Sequence, residues 1–253
     1  MLTTLYQLFH DLIFELILAY ARLAVIFYML PILGERLLSN ALLKNTVIYL
    51  VIIGLWPVID GGHIIRNLTL MNVLSECVIG LFLAMVLCVP FWIVMMMGEI
   101  FDNQRGASMS ESIDPVNGGQ ASVLSAFLNF TFCTIFFMGG GMVLLMQALV
   151  KSYAVYPLGS SLITFHWEQA GALLMLLARE SLLISAPVII VMAITEVLLG
   201  AFSRYCAQLN PFSISMSVKS FVAFLLLLLY GFRALSEKSI VLFTQLISHP
   251  FST

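Results

Sequence analysis

Charged residues are scarce in this sequence: they make up 9% of its 253 residues, whereas a soluble domain carries about a quarter. The 11 basic and 13 acidic side chains are too few to cover the surface of a compact soluble globule of this length. Hydrophobic residues make up 61%, so lipid is the expected solvent. The composition excludes a soluble enzyme and a disordered chain, and a net charge of −2 gives a nucleic acid no basic face.

Metal-binding and catalytic patterns are also missing. Cys77, Cys88, Cys133 and Cys206 lie far apart within apolar runs without a C-x-x-C pair, which argues against structural zinc and a disulfide scaffold. The four histidines are scattered, and we find no H-E-x-x-H, G-x-S-x-G, phosphate-loop or dinucleotide motif. We therefore expect no catalytic residue, no bound metal and no cofactor.

Six apolar segments follow one another along the chain, each of a length that crosses a hydrocarbon core of about 30 Å as a helix. They are residues 12–33, 41–59, 73–97, 123–150, 170–199 and 212–234. Pro187 near the middle of the fifth predicts a kinked or broken helix, and the Gly139–Gly141 run weakens the fourth. We predict an all-α polytopic membrane protein with kinked or broken helices. It forms one membrane domain over residues 1–253, and its C-terminal tail is 235–253.

The polar connector at residues 98–122, between the third and fourth segments, differs from the other connectors. Its first 23 residues read GEIFDNQRGASMSESIDPVNGGQ, with four acids, four glycines and one proline. Asp114-Pro115 and the Asn117–Gly119 run break regular structure. The first half can instead continue the third helix, which would place Glu99, Asp102 and Arg105 on one face. For an arbitrary membrane protein, a solvated loop is the general interpretation.

Charges within apolar segments are costly, so they indicate function or protein contacts. Arg22 and Arg179 have no short route to water, and we expect both to be buried against protein. For Glu76 and Glu196, which lie near segment ends, we favour an interfacial position. The same four charges define an alternative function, a small secondary transporter with a site at the membrane midplane. The two halves of the chain show no matching pattern, which leaves that alternative without symmetry to support it.

Four motifs follow one another along the chain. They are Arg22 followed by Leu30-Pro31-Ile32-Leu33, GEIFDNQRGASMSESIDP at 98–115, Ala186-Pro187 with Glu196 and Gly200, and the stretch from Gln208-Leu209-Asn210 through Ser215-Met216 to Lys219-Ser220. In this order they resemble the FliR/SctT family of bacterial type III export. In the fourth motif, Ala207, Pro211 and Ser217 depart from the usual family pattern. Another pair of stretches, Pro90-Phe91-Trp92 and DNQRGASM, favours the virulence (injectisome) branch over the flagellar one.

The resemblance implies a non-enzymatic component of the export gate at the base of a type III secretion system. Such a component is expected to assemble in the bacterial inner membrane with SctR/FliP-like and SctS/FliQ-like subunits, near an SctU/FlhB-like protein. Unfolded secreted proteins would pass through the centre of this ring, and a loop of the subunit would help to plug it. Four charges are then expected to be buried or to contact other subunits: Arg22, Arg179, Glu196 and Lys219.

The loop at residues 106–120 has the composition that such a plug requires. A flexible backbone carrying apolar side chains blocks ions by dewetting, yet it yields to a polypeptide. Asp102 and Arg105 are expected to pair and hold the stem of the loop, while Gln104 hydrogen-bonds a neighbouring subunit. The expected plug residues are glycines that permit movement and side chains that offer apolar contact: Gly106, Gly118, Gly119, Met109, Ile113 and Val116.

Overall fold

The computed structural model describes residues 2–33, 40–59, 69–106, 122–159, 168–205 and 211–235, together with 237, 241 and 244. Within these ranges the chain is helical and contains no strand, which confirms the predicted fold class. The helices are α1 (Leu2–Met29) with a 3-10 turn after it (Pro31–Leu33), α2 (Ala41–Ile59), α3 (Leu70–Arg105), α4 (Val123–Met138), α5 (Gly141–Val155), α6 (Glu168–Tyr205) and α7 (Pro211–Leu226), which passes into a π-helical turn (Leu227–Gly231).

The candidate membrane spans coincide with the six apolar segments. Five helices in the described ranges are long and apolar enough to cross a membrane, or six if the bent pair α4 and α5 forms one span. The fourth segment is interrupted at Gly140, whose φ of 75° belongs to the left-handed region that glycine adopts at no steric cost. Of the two alternatives predicted for the fifth segment, a kinked or a broken helix, the break is excluded, because α6 continues from Glu168 to Tyr205 with Pro187 inside it.

Local side-chain chemistry explains where several helices begin and end. Asn40 caps α2, since its Oδ1 accepts the backbone N–H of Leu42 at 3.1 Å. Ser122 caps α4 in the same way, because its hydroxyl oxygen accepts the N–H of Ser125 at 3.1 Å. Helix α3 ends at Gly106, which has a φ of 81°, as expected for a glycine just after a helix. The third helix therefore continues into the polar connector as far as Arg105.

One compact unit comprises residues 1–89, 139–173 and 243–253, and it contains α1, α2, the first part of α3, and α5. Helices α1 and α3 cross closely at Gly80, where an added Cβ would lie 2.5 Å from the carbonyl oxygen of Arg22. Tyr20 of α1 stacks on Tyr49 of α2 with ring centroids 5.3 Å apart. Buried apolar side chains of α1 complete this packing, among them Leu18, Leu23 and Phe27.

The second compact unit comprises residues 90–138 and 174–242, and it contains the rest of α3 with α4, α6 from Leu174 onward, and α7. Three buried phenylalanines join α3 to α4: Phe91 meets Phe132 and Phe136 edge to face, with centroids 4.9 and 5.4 Å apart. Near the polar connector the backbones of α3 and α4 lie in contact, so that a Cβ added at Gly98 would collide with the backbone of Ser125. Glycine is therefore required at this crossing.

Candidate functional site

The ends of the polar connector meet at one carboxylate in the second unit. Asp102, in the last turn of α3, is only 4% exposed. Its Oδ2 accepts a short hydrogen bond from the hydroxyl of Ser122 and a second from the backbone N–H of Leu124 at 3.0 Å. Its Oδ1 lies 2.5 Å from Nη2 of Arg105. Asp102 thus connects the end of α3 to the beginning of α4.

Helix physics explains why an acid suits this position. The first backbone N–H groups of a helix lack partners within it, and the helix dipole adds partial positive charge there. Asp102, which belongs to α3, accepts the N–H of Leu124 in the first turn of α4 and places a negative charge at the positive end of that helix's dipole. Arg105 balances the charge of Asp102. Charge-assisted hydrogen bonds of this kind are roughly twice as strong as neutral ones. The buried side chain of Asp102 therefore joins the end of α3 directly to the beginning of α4.

Further contacts hold this stem in place. The hydroxyl of Ser125 donates to the carbonyl oxygen of Met95 at 2.9 Å, directly beside the close crossing at Gly98. The guanidinium of Arg105 lies 5.8 Å from the centre of the Phe224 ring of α7, within the range of a cation–π interaction. The stem is thus fixed by backbone packing between α3 and α4 and by contact with α7. We call Asp102, Arg105, Ser122 and the first turn of α4 the loop stem.

The structure locates some of the expected loop residues and leaves others outside its described ranges. Asp102 and Arg105 lie three residues apart and form the ion pair described above. Gln104 is half-buried, and Gly106 ends the helix with a positive φ. Sequence reasoning missed Ser122, although a serine directly before an apolar run is a helix-start signal. Five expected plug residues lie outside the described residues: Met109, Ile113, Val116, Gly118 and Gly119.

A second buried charge cluster occupies the first unit. Nε of Arg22 donates to Oε2 of Glu76 at 2.6 Å, and both side chains are 0% exposed. The other carboxylate oxygen of Glu76 accepts the backbone N–H of Gly159 at 2.8 Å. The ring of Tyr153 lies 4.4 Å from Cζ of Arg22. Glu76 is therefore not the lone acid that the sequence suggested, because it is the buried partner of Arg22.

The remaining predicted charges lie differently in the chain. Arg179 of α6 is exposed, so the chain's own described contacts do not provide the burial that we expected for it. Glu196 pairs with Lys219 at 2.9 Å, and the Glu196 side chain is 65% exposed. Of the four charges of the transporter alternative, Arg22 and Glu76 neutralise each other in one unit, and Glu196 pairs with Lys219 in the other. That alternative gains no support from these contacts.

Metal-ligating side chains do not converge in the described ranges, where no group of three or more His, Cys, Asp or Glu residues is placed to hold an ion. Among the described residues, three clusters of charges lie between helices, namely the loop stem, the Arg22–Glu76 pair and the Glu196–Lys219 pair, while the exposed Arg233–Glu237 pair is local in sequence. Each of the three clusters joins helices. The geometry of the described residues favours a structural role for these charges.

Comparison with known proteins identifies the family. The sequence profile of "Bacterial export proteins, family 1" matches residues 13–242. The chain belongs to this family. It is similar to surface presentation of antigens protein SpaR of Salmonella typhimurium, with 36% identity over 239 residues, which covers 91% of this chain and 88% of SpaR. It is also similar to Yop proteins translocation protein T of Yersinia pestis, with 32% identity over 243 residues, 90% of this chain and 92% of that one.

The flagellar relatives are more distant. The flagellar biosynthetic protein FliR of Bacillus subtilis is 22% identical over 224 residues, 86% of each chain. These identities confirm the predicted FliR/SctT family and fit its virulence branch. Together with the candidate spans, they make this bacterial export protein a multi-pass protein of the inner membrane at the base of a type III secretion system. Its role is in protein secretion.

Proposed function

We propose that this protein is a non-enzymatic subunit of the export gate, through which unfolded secreted proteins cross the inner membrane. Its partners in the gate are SctR/FliP-like and SctS/FliQ-like subunits, with an SctU/FlhB-like protein beside them. Family membership supports a place in an export apparatus. The exposed apolar side chains of α6 support contact with lipid and with other membrane subunits; they include Leu182, Leu183, Ile190, Ile194, Val197 and Leu198.

Within that gate, we propose that the loop at residues 106–120 closes the pore at rest. The observation that carries this proposal is the loop stem, since Asp102 ties the residues on both sides of the loop together. A segment held at both ends by a buried carboxylate can move between the two ends while its anchor stays fixed. Closure of a long loop costs entropy that grows only slowly with loop length, so one strong stem suffices.

The chemistry of the loop residues supports closure by dewetting rather than by a rigid fit. Met109, Ile113 and Val116 supply apolar side chains, and an apolar constriction blocks ions because water leaves it. Methionine adapts to irregular gaps because its side chain is unbranched, which suits a seal that re-forms after each polypeptide. Gly118 and Gly119 allow the backbone the freedom that such movement requires.

The assembly part of the proposal is tested by mass measurement. The chain is coexpressed with its SctR- and SctS-like partners, purified in a mild detergent, and weighed intact by native mass spectrometry. We expect one complex that contains all three kinds of subunit. A chain found only as a monomer or homodimer, despite good expression of the partners, would contradict the export-gate assignment.

The loop part requires variants that leave assembly intact. The first variant lacks Met109–Asn117, and a second keeps the full loop length but carries serine in place of Met109, Ile113 and Val116. Because the stem residues are unchanged in both, each variant should form the same complex in the same yield as the wild type. The length-preserving variant separates loss of apolar contact from loss of backbone. The conductance of these complexes decides whether the loop closes the pore.

A further inference from the structure

The buried pair in the first unit leaves strong hydrogen-bond donors without acceptors. Arg22 uses Nε to bind Glu76, but its terminal nitrogens Nη1 and Nη2 have no hydrogen-bond partner among the residues that the structure describes. The hydroxyl of Tyr153, the ring of which supports the guanidinium, is also without a partner within that part of the chain. A guanidinium carries five N–H donors, and burying donors without acceptors is costly.

A cavity lies beside the same tyrosine. Its volume is about 300 Å³, and Tyr153 is one of its lining residues, with Glu15 on α1 and Val58 and Ile59 on α2. One ordered water needs only about 10–15 Å³ by this measure, together with polar partners. The cavity therefore has room for several waters, and Tyr153 and Glu15 bring polar groups to its wall. Tyr153 thus lines the cavity and also contacts Arg22 of the buried pair.

We propose that the cavity, which is partly open, is a hydration site, and that its water molecules hydrogen-bond the hydroxyl of Tyr153 and the terminal nitrogens of Arg22. Water supplies the acceptors that the guanidinium lacks, and it accepts or donates at the tyrosine hydroxyl as required. The crossing of α1 and α3 is then a hydrated polar centre rather than a dry contact. This explains how Arg22, which is 0% exposed, is accommodated although only its Nε has a hydrogen-bond partner among the described side chains.

The charges around the site select water over an anion. The charge of Arg22 is already balanced by Glu76 at 2.6 Å, and the cavity wall carries a further acid, Glu15. A carboxylate or phosphate entering this cavity would meet the acid Glu15 and no lysine or arginine among the described lining residues. A neutral molecule that both donates and accepts hydrogen bonds suits the site, and water is the smallest such molecule.

X-ray radiolytic footprinting tests this proposal on the purified full-length protein. The method generates hydroxyl radicals from water in place, so a buried side chain is oxidised only where water lies beside it. Tyr153, which is 5% exposed, is compared with Phe132, a buried aromatic of the apolar cluster that is 0% exposed. We expect Tyr153 to be oxidised several-fold faster than Phe132. Equal rates would overturn the proposal.

Two variants and one added ion sharpen the test. Ala154→Phe fills the cavity from its wall and should lower Tyr153 oxidation to the rate of Phe132. The adjacent Val155→Phe, at an exposed position that does not line the cavity, should leave the rate unchanged. Circular dichroism checks that each variant keeps its helices, and the wild-type comparison stands if Ala154→Phe does not fold. Unchanged oxidation in folded Ala154→Phe, or protection of wild-type Tyr153 by added acetate, would overturn the hydration site.

Discussion

Removal of the Glu76 carboxylate should destabilise the protein strongly. The side chain is 0% exposed, and it serves both Nε of Arg22 at 2.6 Å and the backbone N–H of Gly159 at 2.8 Å. In the Glu76→Leu variant, Arg22 becomes a buried charge without its partner, and the Gly159 N–H loses its acceptor. We therefore expect one substitution to weaken contacts between α1, α3 and the turn after α5.

The magnitude follows from these contacts. Breaking a buried ion pair by removing one partner costs about 3–5 kcal/mol, and a buried donor left without an acceptor costs about 1–3 kcal/mol. The two costs overlap because Arg22 and Gly159 relax together, so we expect about 3–5 kcal/mol in the free energy of unfolding. The double variant Arg22→Met with Glu76→Leu should recover much of this loss, since a well-packed apolar pair is often neutral or stabilising in such a place.

Chemical denaturation of the purified variants in detergent, followed by circular dichroism, measures both numbers. The matched control is Glu237→Gln, which breaks the exposed pair of Arg233 and Glu237, with side chains 78% and 62% exposed. That change should cost only about 0–1 kcal/mol, as surface pairs do. A Glu76→Leu loss as small as that of the control would refute the reasoning. The reasoning would also be refuted if the double variant lost as much free energy of unfolding as the Arg22→Met and Glu76→Leu single variants lose together, because such additivity means that the two residues are not coupled.

Three more results are expected. Gly98→Val should lower assembly yield on native gels, because the valine side chain collides with the Ser125 backbone. The control Gly54→Val, at a position with open space around it, should assemble normally. Equal yields of the two variants would contradict the close crossing of α3 and α4. Arg22→Glu should reduce assembly more than Arg22→Lys, because a reversed charge facing buried Glu76 repels it; wild-type yield for Arg22→Glu would show that the pair is dispensable. Cysteine at exposed Ser217 should crosslink to SctS- or SctU-like partners, and crosslinks only to unrelated proteins would remove that partner assignment.

Hydrophobic run length predicted the membrane helices well because a span has one dominant requirement, about 20 apolar residues. Helix ends were harder, since they depend on side chains brought from elsewhere: Asp102 of α3 supports the start of α4. Pro187 does not break α6, because a proline is tolerated inside a long apolar helix, and the predicted kink stays a prediction. The Gly140 break was read correctly as a weakness of the fourth segment, because three successive glycines favour no helix.

Charge partners were the least predictable part of the candidate site. The Asp102–Arg105 pair is local in sequence, so helical spacing was enough to propose it. Arg22 and Glu76 are separated by 54 residues, and nothing in either apolar segment indicates which distant charge will meet the other. Hydrophobic patterning likewise placed Glu76 near a segment end, where an interface is the less costly environment. Only the crossing of α1 and α3 at Gly80 brings the two side chains together.

The resting ion conductance of the assembled gate tests the central claim, that the loop at residues 106–120 closes the pore. Wild-type complexes, complexes lacking Met109–Asn117, and the serine variant of Met109, Ile113 and Val116 are reconstituted into planar bilayers at equal amounts. Both variants should conduct ions at rest, whereas the wild type stays closed, because an apolar seal has been removed while the stem remains. If complexes of normal composition lack Met109–Asn117 and still show the wild-type resting conductance, the loop does not close the pore.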